Sequence, residues 1–255
     1  MTTTRDETTL TVGGFADLFK PDSAWTIGGF ALPDGSFWSY REPGAMVLVQ
    51  NRRLRVSAVP LTRSNDRVQF LDNAKHMYFS RERVLMPEGG ALTLEVRIAA
   101  RGVGTAPGDL YDGFVSYNLL DFETGVAIDF FISNDQIATV YGRLPFPGVP
   151  VPETGDQRYF CLFKELEIPT EPGAWHDYRI TYDQGADSVR WWVDGALVNE
   201  ERDVPDKIRG FTLAMGLMTE KDIREGKSTS LHGQGLIGEW SESRITITPA
   251  ERATP

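Results

Sequence analysis

The sequence contains a single cysteine, Cys161, and three histidines, His76, His176 and His232. One thiol excludes an intrachain disulfide framework. The histidines share no metal-ligand spacing, which argues against a zinc site. Basic residues are in deficit: 26 Lys and Arg face 36 Asp and Glu, for a formal net charge of -10. Nucleic-acid binding needs a basic stripe that displaces counterions, and an anionic membrane surface selects the same sign. Neither partner is expected. No apolar run approaches the roughly 18 residues of a membrane span. The opening MTTTRDETTLTV lacks the basic-then-apolar order of a secretory leader. These absences lead to the expectation of a soluble, cytoplasmic protein. Helical periodicity is nearly missing too, with only Ala16–Phe19 and Lys221–Glu225 reading as single turns.

What the sequence does have is short strands. Ala91–Ala99 alternates cleanly, with Leu92, Leu94, Val96 and Ile98 on one face and Thr93, Glu95 and Arg97 on the other. Ala45–Gln50 and Arg53–Val59 flank polar Asn51 and Arg52, a hairpin signal. Asn134-Asp135 joins Val126–Ser133 to Gln136–Gly142 in the same way. Further runs are Asp66–Asp72, Lys75–Ser80, Gly113–Leu120, Tyr159–Lys164, Trp175–Tyr182, Ser188–Val193, Gly210–Leu217 and Glu239–Ile247. About a dozen strands with few helices imply two packed antiparallel sheets. The 255 residues suffice for one sandwich with a sizeable core. Residues 1–9 and 249–255 read as polar tails around a single domain at 10–248.

One segment carries a resemblance. W-H-D-Y-R-I-T-Y-D, Trp175–Asp183, followed by S-V-R-W-W-V-D-G-A-L-V, Ser188–Val198, resembles a hairpin of the concanavalin A-like lectin/glucanase jelly rolls. Asp194-Gly195 supplies its tight turn. Phe15–Phe19 with Trp25 resembles the opening strand of such folds, and the closing G-E-W-S-E-S-R-I-T-I-T their returning strand. The resemblance implies an all-β, single-domain jelly-roll sandwich with a concave groove, in an uncharacterised actinobacterial-type branch. The glucanases of this superfamily carry E-x-D-x-E on one groove strand, two glutamates acting as nucleophile and acid/base. The matching stretch here is A-I-D-F-F. Asp129 stands at the middle acid, while Ala127 and Phe131 replace the glutamates, so glucanase chemistry is not expected on this strand.

Asp129 is the question the sequence poses, because a bare buried carboxylate costs several kcal/mol. Two readings stand: a structural acid paired with a nearby Arg, Tyr or His, or a groove acid that binds or protonates a ligand. Candidate ligand-binding residues around it are Trp38, Tyr40, Tyr117, Phe131, Tyr141 and Tyr159, aromatic or lining in kind. Arg143, on the face of Tyr141, is placed to pair with Asp129 across the hairpin. His76 and Tyr78 share a strand face that is either groove or core. His232 lies in a glycine-rich rim loop, with or without a role. His176 reads as structural, and Cys161 as a buried small hydrophobe. The stiff Leu144–Pro152 loop is either a cap over the groove or a plain crossover. No cofactor is expected. A structural calcium enters only by analogy with the jelly rolls, with Asp109, Asp112 and Asp121 as acids to hold it. The function expected is an enzyme acting on a small, partly apolar molecule without hydrolysis, of cyclase, isomerase or lyase type. The alternative is a lectin-like protein that binds a saccharide. The oligomeric state has no signature in the sequence.

Overall fold

A computed structural model describes residues 8–11, 14–32, 34–64, 71–72, 74–144, 159–202, 207–225 and 227–250. Two antiparallel sheets face each other. The first runs in the order Ala196–Arg202, Ser188–Val193, Trp175–Asp183, Ala91–Val103, Gly235–Ser241, Arg53–Ala58, Met46–Gln50. Ala91–Val103 is long enough to pair twice, with Arg244–Thr248 at its start and Gly235–Ser241 at its end. The closing segment, expected as one strand over Glu239–Ile247, is thus two strands broken at Glu242 and Ser243. Thr8–Thr11 pairs with Arg244–Thr248, so the boundary expected at residue 9 falls inside a strand.

The second sheet runs Phe160–Leu166, Ile137–Arg143, Val126–Ile132, Phe114–Asp121, Gly210–Met218, Lys75–Ser80, Trp25–Ile27. This is the jelly-roll sandwich the hairpin resemblance implied. Between the sheets lies one apolar core. Leu92, Leu94, Val96 and Ile98 enter it from the alternating strand, and Val126, Ile128, Phe130 and Ile132 from the strand that carries Asp129. Tyr178, Ile180, Tyr182, Trp191 and Val193 from the motif hairpin join them.

Local sequence explains the turns. Asn51-Arg52 and Asp194-Gly195 both hold positive φ (52° and 59°, 50° and 81°), the conformation that matches strand twist in two-residue hairpins. His176 is structural: its Nδ1 bonds Asp194 Oδ2 at 2.7 Å, while Asp194 Oδ1 accepts from the Asp177 backbone at 2.9 Å. One strand and one helical expectation are corrected. Phe15–Asp17 forms a 3-10 turn, overlapping the single turn expected at Ala16–Phe19, rather than an opening strand, and Trp25 starts the edge strand instead. Lys221–Asp222 pairs with Leu71–Asp72 as a short strand rather than turning as a helix. The greater part of the expected Asp66–Asp72 strand lies outside the described residues.

Candidate functional site

The register of the second sheet fixes its outer, concave face. Asp129 sits opposite Asn118 on one side and Val140 on the other. Ala127 and Phe131 flank it on the same face, as side chains two apart on a strand must. This face carries a second apolar cluster that includes Ala127, Phe131, Phe114, Leu120, Val140, Ala214 and Met218. Phe114 and Phe131 stack with centroids 4.3 Å apart. Asn118 is tied down, its Nδ2 donating to Ala214 O and Ser116 Oγ, each at 3.1 Å.

A hairpin of Gly29–Ala31 and Phe37–Ser39 covers part of this face. Backbone bonds from Gly28 to Met77 (2.9 Å) and from Met77 to Tyr40 (3.1 Å) stitch it to the Lys75–Ser80 strand. Close approach demands glycine here: a Cβ on Gly29 would lie 2.3 Å from the Trp38 carbonyl oxygen. Beneath the hairpin is a cavity of about 490 Å³ walled by Phe30, Phe37, Tyr40, Met77, Phe79, Leu120, Phe122, Phe131, Leu144 and Met218. Among the described residues its ionisable lining groups besides Tyr40 are Asp129, Glu220 and Lys75.

These three set the electrostatics. Asp129 is 2% exposed, and its Oδ1 has no hydrogen-bond partner among the described residues. Burial, then the neighbouring charge of Glu220, push its carboxyl well above the usual carboxylate range, while Lys75 opposes the shift. Burial also raises Glu220, again against Lys75. Lys75 Nζ lies 5.0 Å from the centre of the Tyr40 ring, a cation–π position. Two carboxyls beside one cation each make ionisation of the other costlier, and the cost is greatest for the buried Asp129. The arrangement brings two carboxyls and an ammonium to a largely apolar space.

Tyr40 and Phe131 are the expected residues found in this cavity with Asp129. Trp38 packs beside it in the covering hairpin, with the Arg63 guanidinium 3.7 Å above its ring. Several expectations are corrected by the phase of the strands. His76 and Tyr78 point away from the concave face, into a different cavity at the sandwich edge. Tyr117 and Tyr141 lie in the inter-sheet core, where the Tyr117 hydroxyl bonds Ser243. Arg143 stands opposite Val126, three positions from Val140, the partner of Asp129. An odd offset puts it on the other sheet face, where its Nε donates to Thr124 O at 3.0 Å. The pairing of Asp129 with Arg143 falls with it.

Tyr159 is exposed and does not line the cavity. His232 is exposed on its loop, held by buried Asp112 (2.9 Å) away from the cavity walls. Cys161 is exposed rather than buried. It lies on the concave face, where partial shielding from water, then the carboxyls of Asp129 and Glu220, raise its thiol even though the residue as a whole is exposed. The three acids considered for calcium are separated among cations: Asp109 and Asp112 lean on Lys221, and Asp121 on Arg83 at 3.2 Å. Leu144 lines the cavity, and the remainder of the Leu144–Pro152 loop lies outside the described residues. Sequence reasoning missed Glu220 and Lys75. Their one signal was charge at the end of strands whose outer face is otherwise apolar.

Solved structures with this architecture share little sequence with the chain. An endo-1,3-β-glucanase from Streptomyces sioyaensis superposes with a TM-score of 0.55 at 14% identity, covering 95% of each chain. The Bacillus licheniformis β-glucanase gives 0.52 at 13% identity, over 98% of this chain and 100% of its own. An endo-β-1,4-glucuronan lyase from the fungus Trichoderma reesei gives 0.52 at 13%, over 97% and 96%. At these identities the likeness establishes the concanavalin A-like jelly-roll fold alone. No curated protein matches the chain. Residues 13–249 match the model of a family of unknown function (DUF6081), and the chain belongs to that family.

Proposed function

We propose that the concave cavity binds a small, partly apolar molecule and that Asp129 acts on it as a neutral acid. The observation that supports this is a buried carboxyl with an unpartnered oxygen facing a space lined mainly by hydrocarbon. A protonated carboxylic acid in such a site donates its O–H to a ligand carbonyl and draws electron density toward that oxygen. In this reading Glu220, whose charge Lys75 favours, takes a proton from a carbon next to that carbonyl and returns it elsewhere. Such a sequence conserves every atom and needs no water, which fits an isomerase or cyclase. Hydrolysis by a carboxylate pair on the Asp129 strand is disfavoured, since Ala127 and Phe131 occupy the flanking groove positions.

The test pairs binding with chemistry. Nile red, a neutral apolar reporter, should bind the full chain saturably and lose affinity on Phe131→Trp, which fills the cavity. An infrared carbonyl band from a protonated carboxyl should be present at pH 7 and vanish in Asp129→Asn. Release of reducing ends from β-1,3 or mixed-linkage glucan by the wild type, abolished in Asp129→Asn, would overturn the proposal.

A second reading has its own observation. On the concave face beyond Val140, Phe163 lies next to Tyr111 with ring centroids 5.6 Å apart, both rings more than a third exposed. Exposed ring faces of this kind suit saccharide stacking, which supports lectin-like binding. A glycan array decides it: signals lost in Phe163→Ala favour the lectin reading, and a silent array removes it.

A further inference from the structure

The sandwich has a second opening, between the edge strands of its two sheets among the described residues. Met46–Gln50 ends the first sheet and Trp25–Ile27 ends the second. Val47 from one and Trp25 and Ile27 from the other wall a cavity of about 550 Å³, with Phe19 exposed at its rim. The lining is mixed: Leu18, Trp25, Ile27, Ala45 and Val47 form an apolar strip that continues the inter-sheet core, and polar and charged groups make up the rest. The charged lining is cationic, in a chain whose net charge is -10: Lys20, Arg41 and Arg81 against Glu42. The Glu42 carboxylate is already occupied. It accepts from the backbone N–H groups of Thr62 (2.9 Å) and Arg63 (3.2 Å) and from the Thr62 hydroxyl. Lys20 pairs with Asp17 at 2.6 Å, and Arg81 Nε donates to Ser23 O at 2.8 Å. The described residues give the Arg41 guanidinium no such partner.

His76 faces this cavity and is 3% exposed. The Glu42 backbone N–H donates to its Nδ1 at 3.3 Å. That bond makes Nδ1 the acceptor and leaves the ring proton on Nε2. Nε2 is buried and has no partner among the described residues. Burial, then Arg41, push the ring down to about 4, so it stays neutral and keeps a single N–H to offer. A buried donor left unmet is costly, and the group that would meet it is an acceptor, in a cavity that also holds the Arg41 cation and an apolar strip.

We propose that this edge cavity binds a small carboxylate with an apolar chain. The chain lies between the sheet edges, and the carboxylate accepts from His76 Nε2–H and pairs with Arg41. The site is separate from the concave cavity and stands whether or not Asp129 has the role given above.

Octanoate is the probe, titrated into the full chain at pH 7.5 while the ring signals of the three histidines are followed by NMR. A saturable shift of His76 is expected, with His176 and His232 unmoved. Arg41→Ala, a change at an exposed residue, should weaken binding at least tenfold. Inorganic phosphate, which lacks the chain, and 1-octanol, which lacks the charge, should each leave His76 in place. The absence of a saturable His76 shift overturns the proposal, as does undiminished affinity in Arg41→Ala. An equal response to octanol or phosphate overturns it too. Affinity that falls in Asp129→Asn rather than in Arg41→Ala would place octanoate in the concave cavity, and that result also overturns it.

Discussion

Replacing Asp129 with Asn preserves the size of the side chain and removes its charge. In the fold Asp129 is 2% exposed, and burial with Glu220 nearby holds its carboxyl well above the ordinary 3.8. The unfolded chain ionises the group freely above that ordinary value. Between the two values the native state binds one proton more than the unfolded state, so stability falls as pH rises through the interval. Each pH unit in it costs about 1.4 kcal/mol, and two units about 3 kcal/mol. That is a large share of a typical folding free energy of roughly 5–15 kcal/mol. Asparagine has no such linkage. Asp129→Asn is therefore expected to lose less stability as pH rises, by about 1.4 kcal/mol per unit, and to overtake the wild type. Urea unfolding followed by tryptophan fluorescence, at half-unit steps from pH 4 to 7, measures this. Glu220 is also raised and tilts both proteins the same way, so the difference between the two curves is the quantity to read. Parallel curves would mean that Asp129 ionises in the fold, and the neutral-acid account of the cavity would fail.

Arg83→Met should cost about 3 kcal/mol in urea unfolding, because it strips the cation from Asp121, a fully buried carboxylate 3.2 Å away; Asp121 also accepts from the Thr124 hydroxyl at 2.7 Å and the Glu123 backbone N–H at 3.1 Å, and a loss below 1 kcal/mol would show that these two suffice. Gly29→Ala should weaken Nile red binding several-fold through the clash with Trp38 O, with far-ultraviolet circular dichroism unchanged; unaltered affinity would mean the covering hairpin does not shape the cavity. The His76 ring should titrate near 4. Because its folded value is depressed, the stability it contributes is present above the ordinary 6.5 and is lost as pH falls toward 4. An NMR midpoint near 6.5 would contradict its burial.

The sandwich was legible where one face of a strand meets water. Ala91–Ala99 alternates because its outer face is solvated, and the Asp194-Gly195 turn announces its hairpin by residue type. Asp129 was legible for the opposite reason, as the one charge in a run of apolar residues. The sheet that carries it hides its own phase. Phe114–Asp121, Val126–Ile132 and Ile137–Arg143 are buried at every position, since the core covers one face and the hairpin and loops cover much of the other. With both faces dry, alternation carries no sign. Hence Tyr117, Tyr141 and Arg143 were assigned to the groove when they face the core. His76 and Tyr78 were left between two faces that composition could not distinguish. Glu220 and Lys75 come from segments 145 residues apart that the sheet order alone brings together, and no local pattern foretells that meeting.

The strand Val126–Ile132 divides its labour by parity. Its even-numbered residues belong to the core between the sheets, and its odd-numbered ones face the other way, Ala127 and Phe131 into the concave cluster and Asp129 into the cavity. Substitutions at the odd positions therefore alter what the hollow accepts without unseating the architecture. A scaffold partitioned in this way separates the residues that hold its layers together from those that shape its hollow.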